Sequence, residues 1–129
     1  MIAVSTELNE FRLNAVLAFL SAGTANAWAE IYDGVRPALG GSPAGNLLAS
    51  IVLMEPLGSV ANGLLTVDPT NEVLIGKTGQ ATWARILNGN GALAWDCDVS
   101  DWNGTGELRL PSTLLYAGGY TRIVSGLLG

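Results

Sequence analysis

Histidine is absent from this 129-residue chain, and lysine and cysteine occur once each, as Lys77 and Cys97. Histidine and lysine are common general bases near neutral pH, and histidine and cysteine are common transition-metal ligands. One cysteine excludes an internal disulfide, and a catalytic cysteine would need a histidine partner. We therefore interpret Cys97 as a small buried hydrophobic residue. The sequence predicts a protein that is not an enzyme and that holds no cofactor.

Charge is also scarce. Charged residues make up 13% of the chain and hydrophobic residues 49%, with a net charge of -5, whereas ordinary soluble domains are about 25% charged. Without Lys and Arg clusters, neither nucleic acid nor an anionic membrane surface is an expected partner, and the apolar runs are shorter than the ~20 residues of a transmembrane helix. A neutral, apolar surface predicts coverage by another copy or by a partner.

The one predicted helix covers about residues 6–21. Ser5 or Thr6 provides its N-cap and Gly23 its stop. Apolar residues recur at helical spacing and others widen the apolar face, so we expect the helix to be covered on more than one side. The residues at helical spacing are Leu8, Phe11, Ala15, Ala18 and Phe19, and those that widen the face are Leu13, Val16, Leu17 and Leu20.

A secretory signal is the alternative interpretation of this segment. Residues 13–20 have the length of a signal h-region, and residues 25–27 form an Ala-x-Ala site. The preceding residues contain Glu7 and Glu10 against Arg12 alone, whereas export signals carry positive charge there. We therefore expect a helix of the folded domain.

From residue 25 onward, short segments of period two alternate with Gly and Pro turns, which is typical of β architecture. The loop 36–46, rich in Gly and Pro, is predicted to be a mobile or partner-contacting arm. We predict a single domain over residues 1–129, mainly β, folded as a jelly roll or β-sandwich of about eight short antiparallel strands. The predicted strands are 25–32, 47–54, 59–67 with a bulge or tight turn at Asn62-Gly63, 72–75, two within 79–99, 107–110, 113–116 and 120–127.

The strongest folding signal is a hairpin over residues 79–99 with Gly89-Asn90 at the centre of its turn. This turn predicts three pairs on the core face of the sheet: Ile86 with Leu93, Ala84 with Trp95 and Thr82 with Cys97. Trp95, Ile86 and Leu93 are therefore expected inside. The other face carries Trp83, Arg85, Asp96 and Asp98, and we expect Trp83 and Arg85 where a partner can reach them.

The acidic cluster Asp96, Asp98 and Asp101, together with Ser100, is the best candidate for a chemical site. Carboxylates at this spacing suit calcium, or a glycoside-hydrolysing pair. An EF-hand loop that starts at Asp96 would need glycine where Asp101 stands, and a solvated strand face beside Arg85 explains the same residues. The four tryptophans suggest either a carbohydrate platform or, more commonly, core and interface packing.

Three segments carry a resemblance to a known class of protein. The first is residues 30–34 (EIYDG) followed by 36–38 (RPA), the second is residues 81–86 (ATWARI) with their hairpin partner, and the third is a glycine-bearing C-terminal strand. In these segments the chain resembles small virion proteins of tailed bacteriophages. The resemblance extends from about the N-terminal helix to the C-terminus. It implies a structural protein of the particle that is made in the host cytoplasm, namely a capsid decoration or cement protein on the outside of the shell.

The implied partners are the major capsid protein and further copies of this chain. Weak contacts repeated over a lattice add up through avidity. The alternatives are a neck or tail ring component and a carbohydrate-binding adhesin domain. We predict partner contacts at Arg36, Pro37, Trp83, Arg85 and Trp102.

Overall fold

A computed structural model describes residues 2–129, which form a mainly β fold with one helix. The helix α1 is Thr6–Leu20. The strands are β1 Trp28–Tyr32, β2 Leu47–Val52, β3 Gly58–Ala61, β4 Leu64–Val67, β5 Val73–Leu74, β6 Gly79–Gln80, β7 Trp83–Leu87, β8 Leu93–Asp101, β9 Leu108–Leu110, β10 Leu114–Leu115, β11 Tyr120–Thr121 and β12 Ser125–Leu128.

Eight of these strands form one curled sheet in the order β2-β1-β7-β8-β9-β12-β4-β3, and the pairs β6/β10 and β5/β11 form two small sheets. The expectation that all strands are antiparallel is wrong, because the end of β8 pairs with β9 in parallel. The intervening loop turns the chain back on itself. There the Gly106 N–H donates to the Ser100 Oγ at 2.9 Å and the Gly104 N–H donates to the Asp101 carbonyl at 3.1 Å.

One hydrophobic cluster joins the helix, both halves of the curled sheet and several loops. Alternate residues of β1, β4, β7, β8 and β9 point into it, as the period of two predicts. The cluster includes Leu13 and Leu20 from α1, Ile31, Ile51 and Ile86 from one half of the sheet, Leu65, Leu108 and Leu110 from the other, and Leu53, Ile75 and Ile123 from the loops.

The predicted helix and its cap are confirmed. The Leu8 N–H donates to the Ser5 Oγ at 3.1 Å, which satisfies one free amide of the first turn. The Asn9 side chain donates to the Gly63 carbonyl at 2.8 Å in the β3–β4 turn. At the other end, the Asn88 side chain donates to the Phe19 carbonyl at 3.3 Å. The helix therefore bridges the β3–β4 and β7–β8 turns.

The expectation that this helix is covered on more than one side is wrong within the chain itself. Leu13 and Leu20 are buried, whereas Leu8, Phe11 and Phe19 are exposed, Phe11 by 70%. The reason is geometric: the curled sheet meets one face of the helix, and the apolar residues occupy two faces.

The β7–β8 hairpin has the predicted faces but not the predicted pairs. Its turn is centred on Gly89-Asn90, and the pairs are Ala84 with Cys97 and Ile86 with Trp95. Gly91, at φ 80°, adds one residue after the turn, and a register shift between Ile86 and Leu87 adds another. Because the total shift is two residues, the side chains within β7 and β8 keep their faces. The expectation that Thr82 lies on the core face is wrong, because Thr82 precedes β7 and is exposed.

Candidate functional site

A row of charged side chains crosses three neighbouring strands on the outer face of the curled sheet. Glu30 on β1 lies opposite Arg85 on β7, which lies opposite Asp96 on β8. The Arg85 guanidinium donates to both oxygens of Asp96, with Nε–Oδ1 at 2.8 Å and Nη2–Oδ2 at 3.0 Å. The side chains of Arg85 and Asp96 are only 12% and 4% exposed, so this bidentate pair is largely shielded from water.

Two aromatic rings flank the charged row. Tyr32 and Trp83 stack with ring centroids 4.5 Å apart and planes 13° apart. The Arg85 guanidinium carbon lies 5.2 Å from the centroid of the Trp83 ring, within cation–π range. Trp83 is fully buried, so the expectation that a partner can reach it is wrong.

The loop 33–46 covers this face. The Arg85 Nη2 donates to the Gly41 carbonyl at 2.8 Å, and the Gly40 N–H donates to the Asp96 Oδ2 at 3.3 Å. Nearer the start of the loop, Thr82 Oγ1 donates to the Gly34 carbonyl at 2.6 Å. The loop is therefore fastened to the sheet. The fastening contradicts the mobile alternative for this loop, and the partner-contacting alternative stays a prediction. Arg85 lies beneath the loop.

Contacts within the charged row shift the pKa values of its side chains. Burial tends to raise the pKa of Asp96, but hydrogen bonds from Arg85 and from the Gly40 N–H, with the positive charges of Arg85 and Arg36, hold it below its ordinary value. The hydrogen bond to Asp96 raises the pKa of Arg85. Both groups therefore stay charged across the physiological range, as a structural pair requires.

Glu30 completes the row at its other end. It accepts a hydrogen bond from the Tyr32 hydroxyl at 2.9 Å and one from the Trp28 indole at 3.2 Å. Burial, with the hydrogen bond to Glu30, raises the pKa of Tyr32 to about 12. The carboxylates at both ends of the row are thus engaged by neighbouring side chains, and Arg85 and Asp96 act as a clamp that holds the loop 33–46 to the sheet.

The three aspartates of the predicted acidic cluster have separate partners. Asp96 pairs with Arg85, Asp98 pairs with Arg36 at 3.4 Å on the surface, and Asp101 Oδ1 accepts a hydrogen bond from the Asn103 N–H at 3.0 Å. Across residues 2–129, no three acidic or cysteine side chains gather in a group that could hold a metal ion.

Cys97 is buried, as expected, but it faces Ala84 rather than Thr82. Burial raises the pKa of its thiol to about 12. A thiol with so high a pKa is a poor nucleophile.

The other predicted contact residues lie at or near the surface. Arg36 is exposed, Pro37 is half-buried, and Trp102 is 60% exposed at the turn after β8. Trp28 and Trp95 are half-buried. Of the four tryptophans, all within the described residues, only Trp102 offers a largely open ring face.

Two exposed apolar surfaces were not predicted as contact sites. The first is the outer helix face, formed by Leu8, Phe11, Ala15, Ala18 and Phe19. The second is the tyrosine patch, formed on the small sheets by Leu74, Leu114, Tyr116 and Tyr120. An excess of apolar residues for one helix face was the sequence signal for the first surface. We find no comparable signal for the second.

An apolar cleft of about 350 Å³ adjoins the outer helix face. It lies between α1 and β8, and Leu93 and Trp95, which were expected inside, are half-buried in its wall. Its lining residues are Arg12, Ala15, Val16, Phe19, Leu93, Ala94 and Trp95.

Comparison with family models, with curated proteins and with solved structures finds no match. Among residues 2–129, no helix combines the length and the apolar character that crossing a bilayer would require.

Proposed function

We propose that this chain is a non-enzymatic structural protein of a phage virion, a decoration or cement protein that binds the outside of the major capsid shell and stabilises it. The observation that carries the proposal is the grouping of exposed apolar side chains into the outer helix face and the tyrosine patch on a charge-poor domain. Contiguous apolar surface of this kind is typical of proteins that work within an assembly.

The tyrosine patch has the chemistry of a protein interface. Tyr116 and Tyr120 are exposed beside Leu74 and Leu114, and tyrosine is enriched in interfaces because its ring is apolar while its hydroxyl can still bond. We assign this patch to the contact with the shell. We assign further contacts with the shell to Arg36 and Trp102, which lie on other loops.

The clamp between the loop 33–46 and the sheet supports a role as a rigid spacer. The loop is fastened by Arg85 and Asp96, so a surface that includes Arg36 keeps its shape before a partner arrives, which lowers the entropic cost of binding. In this proposal the curled sheet is the rigid part of the spacer, and its fold is of the sandwich or jelly-roll type. Weak contacts of each copy add up over the lattice.

Rebinding to stripped particles tests the proposal. Purified chain is added to virions from which it has been removed, and the bound fraction and the temperature of shell disruption are measured. We expect binding and a higher disruption temperature for the native chain, and loss of both when Tyr116→Ala and Tyr120→Ala are combined. Val52→Thr, at an exposed apolar position on β2, is the matched control. Binding that survives the double substitution would remove the patch from the interface, and an unchanged disruption temperature with the native chain would argue against cementing.

A neck or tail ring component is the second candidate, and the outer helix face favours it because ring assembly needs one surface that meets another on the next copy. The number of copies per particle separates the shell protein from the ring component: on the order of hundreds for a shell protein and about a dozen or fewer for a ring.

A carbohydrate-binding adhesin domain is the remaining alternative. The single open tryptophan face, at Trp102, offers little ring area for stacking on sugars. Glycan binding that is lost in Trp102→Ala would favour the adhesin.

A further inference from the structure

The outer helix face has a heptad arrangement that points toward an identical helix. Leu8 and Ala15 occupy a positions, and Phe11 and Ala18 occupy d positions, when Leu8 begins the heptad. All four are exposed, whereas Leu13 and Leu20, at the f positions, are buried in the core of the chain itself. In an ordinary coiled coil the f positions face water. In this chain the f positions face the core of the domain, and the a/d seam is free to meet another helix.

The two edges of the seam carry opposite charges. Glu7 lies on one edge, a g position, and Arg12 lies on the other, the following e position. This i to i+5 spacing is the one that brings a g residue of one helix to an e residue of a parallel neighbour. Both side chains are exposed. An antiparallel neighbour would not bring Glu7 and Arg12 together, so the charges favour the parallel orientation.

The two edges also differ in shape. At about 100° per residue, Phe11 and Ala18 project toward the Glu7 edge, and Phe11 protrudes with 70% of its surface exposed. The Arg12 edge instead opens into the apolar cleft of about 350 Å³ between α1 and β8. That volume lies at the small end of the range of about 300–1,000 Å³ for ligand pockets. A protrusion on one edge and a hollow on the other form a heterologous pair.

We propose that the chain assembles with itself head to tail through this seam. Phe11 of one copy enters the cleft of the next copy beside Arg12 and Ala15, and Glu7 of the first copy pairs with Arg12 of the second. The helices then run parallel around a rotation axis, and repetition of the contact closes a ring. The seam is only about 22 Å long. We therefore expect a weak association in solution that strengthens when copies are held on a common surface. The proposal does not depend on the capsid role, because it concerns contacts between copies alone.

The native mass of the purified chain tests the association. Light scattering at increasing concentration, up to about 1 mM, should show mass above that of one chain, and Phe11→Gln should weaken the association by on the order of tenfold or more. Val35→Gln, at another exposed apolar position, should leave it unchanged. A native chain that stays monomeric over this range, or a Phe11→Gln variant with native self-affinity, would overturn the proposal.

Charge exchange tests the pairing independently of Phe11. Glu7→Arg and Arg12→Glu should each weaken self-association by about fivefold, and the double exchange should restore it. Circular dichroism on each variant checks that the helix remains formed, because Glu7→Arg places a positive charge in its first turn. Failure of the double exchange to restore association, with the helix intact, would contradict the Glu7–Arg12 contact.

Cross-linking tests whether the contact is heterologous. The variant with both Glu7→Cys and Arg12→Cys should form disulfide-linked ladders under mild oxidation, because residue 7 of one copy meets residue 12 of the next. Glu7→Cys alone should not, and buried Cys97 does not compete. Equal cross-linking by Glu7→Cys alone would show that like edges meet, and it would overturn the head-to-tail arrangement.

Discussion

The Arg85–Asp96 pair is the residue-scale feature on which the covered face of the sheet depends. It is bidentate and largely buried, and both partners also bond the backbone of the loop 33–46. Asp96→Asn leaves the guanidinium without its counter-charge, so we expect a loss of about 2–3 kcal/mol in the free energy of unfolding. Urea denaturation measures it. Asp98→Asn, on the same face of β8 but in an exposed pair with Arg36, should cost less than about 1 kcal/mol. Equal costs for the two variants would contradict a clamp at Asp96.

The lowered pKa of Asp96 predicts a dependence of stability on pH. The unfolded chain binds this proton more tightly than the folded chain does, so the stabilisation is complete above the ordinary carboxyl pKa of about 3.9 and is lost as the pH falls through the lower pKa of the folded state. Unfolding free energies measured from about pH 7 to pH 2 should decline at the acid end. Asp96→Asn should remove part of that decline, and Asp98→Asn should retain it. A native decline that Asp96→Asn leaves unaltered would argue against this linkage.

At the scale of elements, Asn88 joins the helix to the central hairpin. Its side-chain oxygen accepts from the Asn90 and Ala92 N–H groups at 3.0 Å, and its amide donates to the Phe19 carbonyl. Asn88 is buried. We expect Asn88→Ala to lower the free energy of unfolding by about 2–3 kcal/mol, because it removes three hydrogen bonds to partly buried backbone groups.

Asn90→Ala is the matched control for this prediction. Asn90 occupies the same turn, but its side chain is exposed and its bond to Asn88 comes from the backbone. We expect a change within about 0.5 kcal/mol. Chemical denaturation of both variants, followed by tryptophan fluorescence, separates the two effects. Similar losses would show that the turn itself, rather than the Asn88 side chain, fastens the helix.

The elements show which features could be read from the sequence. The helix, its Ser5 cap and the two faces of the β7–β8 hairpin were predicted correctly, because caps and side-chain periodicity are local. The pairs within the hairpin were wrong, since Gly91 and the register shift between Ile86 and Leu87 together add two residues, which moves the pairs and keeps the alternation. The burial of Trp83 was missed for a different reason. It depends on a loop fastened largely through backbone amides and carbonyls, which leave no side-chain pattern.

On the whole-molecule scale, the low content of charged residues has consequences both in the interior and on the surface. Inside, one hydrophobic cluster fills the curled sheet, and the largely buried charges of Arg85 and Asp96 are paired with each other. Outside, the outer helix face and the tyrosine patch remain uncovered. The outer helix face lies in the first 20 residues and the tyrosine patch lies between residues 74 and 120, so the two proposed contacts use different elements of the chain.

The most direct test of the proposed capsid role is to image the intact particle at a resolution that identifies side chains and to locate this chain on it. We predict copies bound to the outside of the shell on the order of hundreds per particle, with the tyrosine patch against the major capsid protein. Density for the chain confined to a neck or tail ring, or its absence from the particle, would contradict the capsid role.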